Sequence, residues 1–369
     1  MPDSISPVPR WQAVGSWLGV LLMLVFFLNT AGGWVRLSGS GVAIPHWPII
    51  DLGTHKTVLP PWNEQEWKAA QDAWATHQEA LRERVVQGTL HASNLGRTPR
   101  DQAEFKEIFL TEWGHRLLAA VTGLVALGLL VTVLRDGPLR RAIGIPYGAA
   151  CGLILFQAVL GGLLVDEGTN TPHLWAHQGN AGMIMCCLLW SLLTVLALRP
   201  TPVPGRGLLL IGAAVVVILT WWQLVAGALV SGSKGVEGGY ISRDLMAFGN
   251  LWQSDRGVGW NLSRNPGVAQ WLHRWGAWLL VAVQVAYLVV LWCRPTGLRL
   301  RLVSQVLATF LGVQMLLGIA SSTIGAQPLL ILAHQAMGMC LLMSVMLMFF
   351  DLRYEPAVAA ESDRSVANV

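Results

Sequence analysis

Four of the nine histidines in this 369-residue chain, His115, His177, His273 and His334, fall in apolar segments, and they fall there as two pairs. His177 follows His115 by 62 residues and His334 follows His273 by 61. Such a gap is two membrane crossings plus two connections, so both members of a pair return to one face of a bilayer. Imidazole inside a membrane protein is costly unless it has a partner, and a pair repeated at equal spacing points to ligation rather than packing. Two neutral imidazoles with no thiolate or carboxylate companion are too few for a closed zinc site, which takes four ligands. They suit the two axial positions of a haem iron, whose porphyrin provides the rest. The expectation is one haem in each half of the chain, its ring among Leu, Val and Ala and its propionates toward the outer surface. Arg116 and Arg274 directly follow two of the histidines. They either meet those propionates or snorkel to the interface.

The two halves differ at one chemical position. Glu112 stands three residues before His115, on the same helix face, and its counterpart before His273 is Gln270. The carboxyl is either a general base or proton-relay group or an interfacial charge met by water. On the first reading the first half does the chemistry, and the second keeps a haem for electron transfer or structure. His173 sits one turn before His177, but Leu330 occupies the matching place before His334, so it is a weaker candidate. His46, His55, His77 and His91 lie in a long loop and are expected to be solvated. Cys151, Cys186, Cys187, Cys293 and Cys340 fall in or beside apolar segments and imply no disulfide framework.

Positioning these groups needs membrane helices. The composition is 53% hydrophobic and 12% charged, with a mean hydropathy of +0.50, more apolar than one soluble core can hide. Stretches near 14–35, 112–134, 142–165, 173–198, 207–231, 269–293, 299–324 and 328–350 each suffice for a crossing of about 20 residues. The first is too long for a removed signal peptide and lacks a small-residue cleavage site, so it reads as a retained span. Arg135, Arg140 and Arg141, Arg199 and Arg206, then Arg294, Arg299 and Arg301 mark alternate short connections as cytoplasmic. Both termini, 1–13 and 351–369, are then cytoplasmic, and the long loops 36–111 and 232–268 face outward with the four histidines.

The chain also repeats itself. Phe156-Gln157-Ala158-Val159-Leu160-Gly161 matches Val313-Gln314-Met315-Leu316-Leu317-Gly318, His177-Gln178 matches His334-Gln335, and Ser38-Gly39-Ser40 matches Ser231-Gly232-Ser233. The fold class expected is an all-α membrane protein of eight transmembrane helices, arranged as two tandem four-helix bundles related by pseudo-two-fold symmetry. Residues 14–198 form the first unit and 207–350 the second.

Several segments together resemble the haem A synthase family. They are Gly32-Gly33-Trp34-Val35-Arg36-Leu37-Ser38-Gly39-Ser40-Gly41, Pro60-Pro61 with Glu66-Trp67, and Glu104-Phe105-Lys106-Glu107-Ile108-Phe109 running into Glu112-Trp113-Gly114-His115-Arg116, with the two His-Gln pairs. The resemblance covers nearly the whole chain. It implies oxidation of the methyl group at ring position 8 of haem O to a formyl group, giving haem A for terminal oxidases. It further implies His115 and His177 as ligands of the substrate haem, His273 and His334 as ligands of a haem b, and Glu112 as an essential acid. Implied partners are haem O synthase (a farnesyltransferase), oxidase assembly factors, an electron-transfer partner and the lipid bilayer of the bacterial inner membrane, with no nucleic acid. Two departures stand out. The first outer loop has no cysteine pair, which argues against a thiol relay there, and the second reads Gly239-Tyr240-Ile241-Ser242-Arg243 where the family carries Tyr-Asn-Thr-Phe-Pro. The rival readings are a non-catalytic dihaem b-type cytochrome and a haem transporter or chaperone. The Glu112 and Gln270 asymmetry favours an enzyme.

Overall fold

A computed structural model describes residues 8–53, 55–88, 90, 95–168, 171–197, 201–202, 206–233, 248–294, 296–324 and 327–355. His91, the 239–243 segment and the tail beyond 355 lie outside the described residues. Eight helices are long and apolar enough to cross a membrane: α1 (Val8–Leu37), α3 (Gln102–Arg135), α4 (Gly137–Asp166), α5 (Thr171–Leu196), α6 (Gly207–Gly232), α9 (Pro266–Trp292), α10 (Leu298–Thr323) and α11 (Pro328–Arg353). The chain is a multi-pass, all-helical membrane protein, its remaining regular structure being three shorter helices and two two-stranded ladders among the described residues.

Helix starts follow local chemistry. Asp136 caps α4 by accepting from Leu139 N, and Asn265 caps α9 by accepting from Gly267 N and Val268 N, each just before a proline of the first turn. Helix α1 packs on α3 and α5, and α4 lies between α3 and α5. Helix α6 packs on α9 and α11, and α10 lies between α9 and α11. The seam between these groups is made by α5 against α6, α5 against α11, and α1 against α11. Lipid is as apolar as leucine, so packing and interhelical hydrogen bonds hold such helices together. Tyr147 of α4 donates to the Ala126 carbonyl of α3 at 2.8 Å, and Tyr287 of α9 to the Leu209 carbonyl of α6 at 3.0 Å.

Helix α3 starts ten residues earlier than hydropathy alone predicts. Asp101 caps it by accepting from Glu104 N, and the added turns bury Phe105, Ile108 and Phe109. They pack against a cap built from the first loop: the ladder of β1 (Ile50–Asp51) and β2 (Lys56–Thr57), and helix α2 (Glu64–Val86). Asn63 caps α2 from Glu66 N at 2.9 Å, while Glu66 accepts from Trp62 N at 2.8 Å. Trp67, Ala70, Trp74, Gln78 and Leu81 form its buried stripe. The second long loop contributes α7 (Phe248–Leu251) and α8 (Val258–Arg264), tied down by Asn261, which bonds to Gln253 in both directions.

Candidate functional site

The second histidine pair is brought together directly. His273 of α9 and His334 of α11 have ring centroids 6.1 Å apart and planes at 89°. Gln223 of α6 places its amide nitrogen 3.0 Å from His273 Nδ1 and donates to the His273 carbonyl at 2.6 Å. Gln314 of α10 reaches His334 Nε2 at 3.4 Å, and His334 Nδ1 is buried with no hydrogen-bond partner. Such outer contacts fix ring rotation in histidine ligands.

Glycines face all four rings, and at three of them a side chain would crowd the imidazole. A Cβ on Gly227 would stand 3.2 Å from His273 Cε1, and one on Gly318 3.1 Å from His334 Cε1. In the first half a Cβ on Gly32 of α1 would stand 3.1 Å from His115 Nε2, and one on Gly161 of α4 3.7 Å from His177 Cε1. His115 of α3 and His177 of α5 lie on helices that both pack against α1 and α4. His177 Nδ1 is buried without a partner, and Gln157 donates to the His177 carbonyl at 3.1 Å. Gln157 and Gln314, like Gly161 and Gly318, are the equivalent positions of the sequence repeat. Among the described residues no three His, Cys, Asp or Glu side chains converge on a metal site. Each pair would offer two protein ligands, and the one buried ring nitrogen in each that lacks a hydrogen-bond partner, His177 Nδ1 and His334 Nδ1, fits an iron that brings its own equatorial ring.

Glu112 is 3% exposed. Its Oε2 accepts from Ile44 N at 2.8 Å, and its Oε1 accepts from Arg116 Nη2 at 2.5 Å. Arg116 also donates to the Ile44 and His46 carbonyls, at 2.7 and 2.6 Å. One ion pair thus fastens the 44–46 segment of the first loop over the helix end that carries His115. In the second half Gln270 is also buried, at 5% exposure, and Arg274 is half-buried beside His273.

A polar contact across the seam escapes sequence reasoning. Asn29 of α1 donates to Gln178 at 3.0 Å, and Gln335 donates to both the carbonyl and the side-chain oxygen of Asn29 at 3.1 Å. The glutamines that directly follow His177 and His334 so meet on one asparagine. The loop histidines divide. His46 and His55 are exposed, whereas His77 of α2 is half-buried with Nε2 3.3 Å from the Val165 carbonyl, so the expectation of a solvated side chain fails there. His173 Nδ1 lies 3.2 Å from a Glu167 carboxylate oxygen rather than with His177.

Known families share this chain's length and pattern. The cytochrome oxidase assembly protein family, COX15-CtaA, matches residues 15–346. The chain belongs to this family. A heme A synthase of Rhizorhabdus wittichii is 31% identical over 358 residues, covering 92% of this chain and 94% of its own. A heme A synthase of Sphingopyxis alaskensis is 30% identical over 356 residues, and one of Erythrobacter litoralis 31% over 343. All four histidines and Glu112 lie inside the stretch that the family spans.

Proposed function

We propose that this protein is a haem A synthase, an oxidoreductase of the bacterial inner membrane that oxidises the ring-position-8 methyl group of haem O to a formyl group. The observation that carries the reading is the doubled pair of half-buried imidazoles, each set against a glycine of a neighbouring helix, in a chain similar over nine-tenths of its length to heme A synthases. His115 and His177 hold the substrate haem. His273 and His334 hold a resident haem b, which supplies one-electron chemistry when bound. The duplicated contacts support an architecture of two tandem four-helix units, 14–198 and 207–350, related by a pseudo-two-fold axis. The arginine distribution supports cytoplasmic termini and histidines near the outer face.

The chain's own residues bind, orient and enclose. Gln157, Gln223 and Gln314 hold the histidine-bearing segments in place. Both oxygens of Glu112 are already engaged, so the geometry favours a positioning role over that of a free base: with Arg116 it holds the 44–46 segment across the first site. Arg274 remains the candidate for a propionate of the second haem. An electron-transfer partner, haem O synthase and oxidase assembly factors are the expected neighbours.

The test is expression in cells that make haem O but lack haem A synthesis, followed by extraction and chromatography of total haem. Haem A is expected. Unconverted haem O together with purified protein carrying haem b alone would favour the dihaem cytochrome.

A further inference from the structure

The cap carries an apolar surface that the fold does not cover. Trp47, Ile49, Val58, Leu59 and Trp62 lie within one stretch of the first loop and are between 42% and 77% exposed. Clusters of this kind mark a contact surface rather than scattered surface apolars. Two tethers fix its depth. The Trp113 indole of α3 donates to the Val58 carbonyl at 3.0 Å, and the Trp47 ring lies 3.3 Å from where a Cβ on Gly162 of α4 would stand. Both partners belong to membrane-spanning helices.

Those two helices lead lipid-facing stripes to the same place. On α4, Leu155 and Val159 are exposed at helical spacing, and Gly162 with Trp47 upon it is the next position outward. On α3 exposed Leu124, Val121, Leu117 and Leu110 run past Trp113, which holds Val58. The patch continues a surface that lipid already covers and sits where tryptophans mark the headgroup level.

We propose that the 47–62 segment beds in the headgroup layer of the bilayer, and that the lipid surface is its partner. The consequence reaches the first histidine pair. Trp47 follows directly on His46, whose carbonyl Arg116 holds, and Gly162 follows Gly161, which faces His177. The cover of that site is then anchored in the leaflet from which an amphiphile with a long apolar tail would arrive.

Photo-crosslinking decides it. p-Benzoylphenylalanine is placed at Leu59 or Trp62, with Thr76 on the exposed side of α2 as control, and membranes are irradiated before purification and mass spectrometry. Phospholipid adducts at 59 and 62, several-fold above those at 76, are expected. Adducts to a protein, or lipid adducts no more frequent than at 76, overturn the proposal. A second measurement serves if the bulky residue disturbs folding: a fluorophore on Leu59→Cys, in a Cys293→Ser background and lipid nanodiscs. Quenching by a headgroup spin label is expected to exceed quenching by one at the bilayer centre, and no quenching by either overturns the proposal. Neither readout needs haem, so each stands apart from the assigned function.

Discussion

A carboxylate buried at 3% exposure against an arginine and a backbone N–H is an expensive object, and Glu112 shows where the outlay goes. Removing one partner of a buried ion pair costs about 3–5 kcal/mol, here spent on loosening the 44–46 segment. Glu112→Gln and Arg116→Gln are each expected to lower haem A formation by on the order of 10- to 100-fold, part of that cost appearing as lost organisation of the site. Chromatography of haems O and A from membranes with equal protein checks this. Similar losses are the signature of a shared clamp, whereas a far larger loss from Glu112→Gln alone would restore the role of proton carrier. His77 makes a separate prediction. Burial pushes its pKa below the ordinary 6.5, so the folded cap holds it neutral while the unfolded chain takes up a proton. Stability is therefore full above about pH 6.5 and falls as the pH drops through that value. His77→Gln should flatten this slope in thermal unfolding followed between pH 7.5 and 5.5. The four histidines stood out as two pairs because the repeat doubled a signal that one histidine lacks. His77 was not, since only the folding of α2 onto the end of α4 gives it a carbonyl partner.

Helices α6 and α10 present Gly227 and Gly318 to the second pair, where a side chain would press on an imidazole. Gly227→Leu and Gly318→Leu are expected to displace the rings and abolish the haem spectrum of the second site, leaving the first able to bind. Gly128→Ala, where nothing lies within 4 Å, should leave haem content unchanged, and the pyridine haemochrome of purified proteins reads all three. All eight spans were legible because hydropathy is a strong signal over about 20 residues, with ends shifted by up to ten residues. The outer turns of α3 and the whole of α2 were missed for one reason: both are amphipathic and too polar for a hydropathy scan. The period of Trp67, Ala70, Trp74, Gln78 and Leu81 behind an Asn63 cap was the available sign.

Taken as a whole, the molecule places two histidine pairs at the same end of one bundle, with amides of Asn29, Gln178 and Gln335 across the seam between them. The repeat predicted two equivalent sites, but it was silent about this seam, because contacts between halves have no periodicity to betray them. Orientation follows from charge: tags on both termini are expected to resist an impermeant label in intact cells, and labelling of either would move the histidines to the opposite face. The two pairs are proposed to be independent sites with different occupants. This is tested most directly by the haems that co-purify with His115→Ala and with His273→Ala, each identified by chromatography and counted per folded chain. His115→Ala is expected to keep one haem b and lose haem O and haem A, while His273→Ala loses haem b and still binds haem in the first half. Equal loss of every haem from both variants, in protein that remains folded, would contradict it.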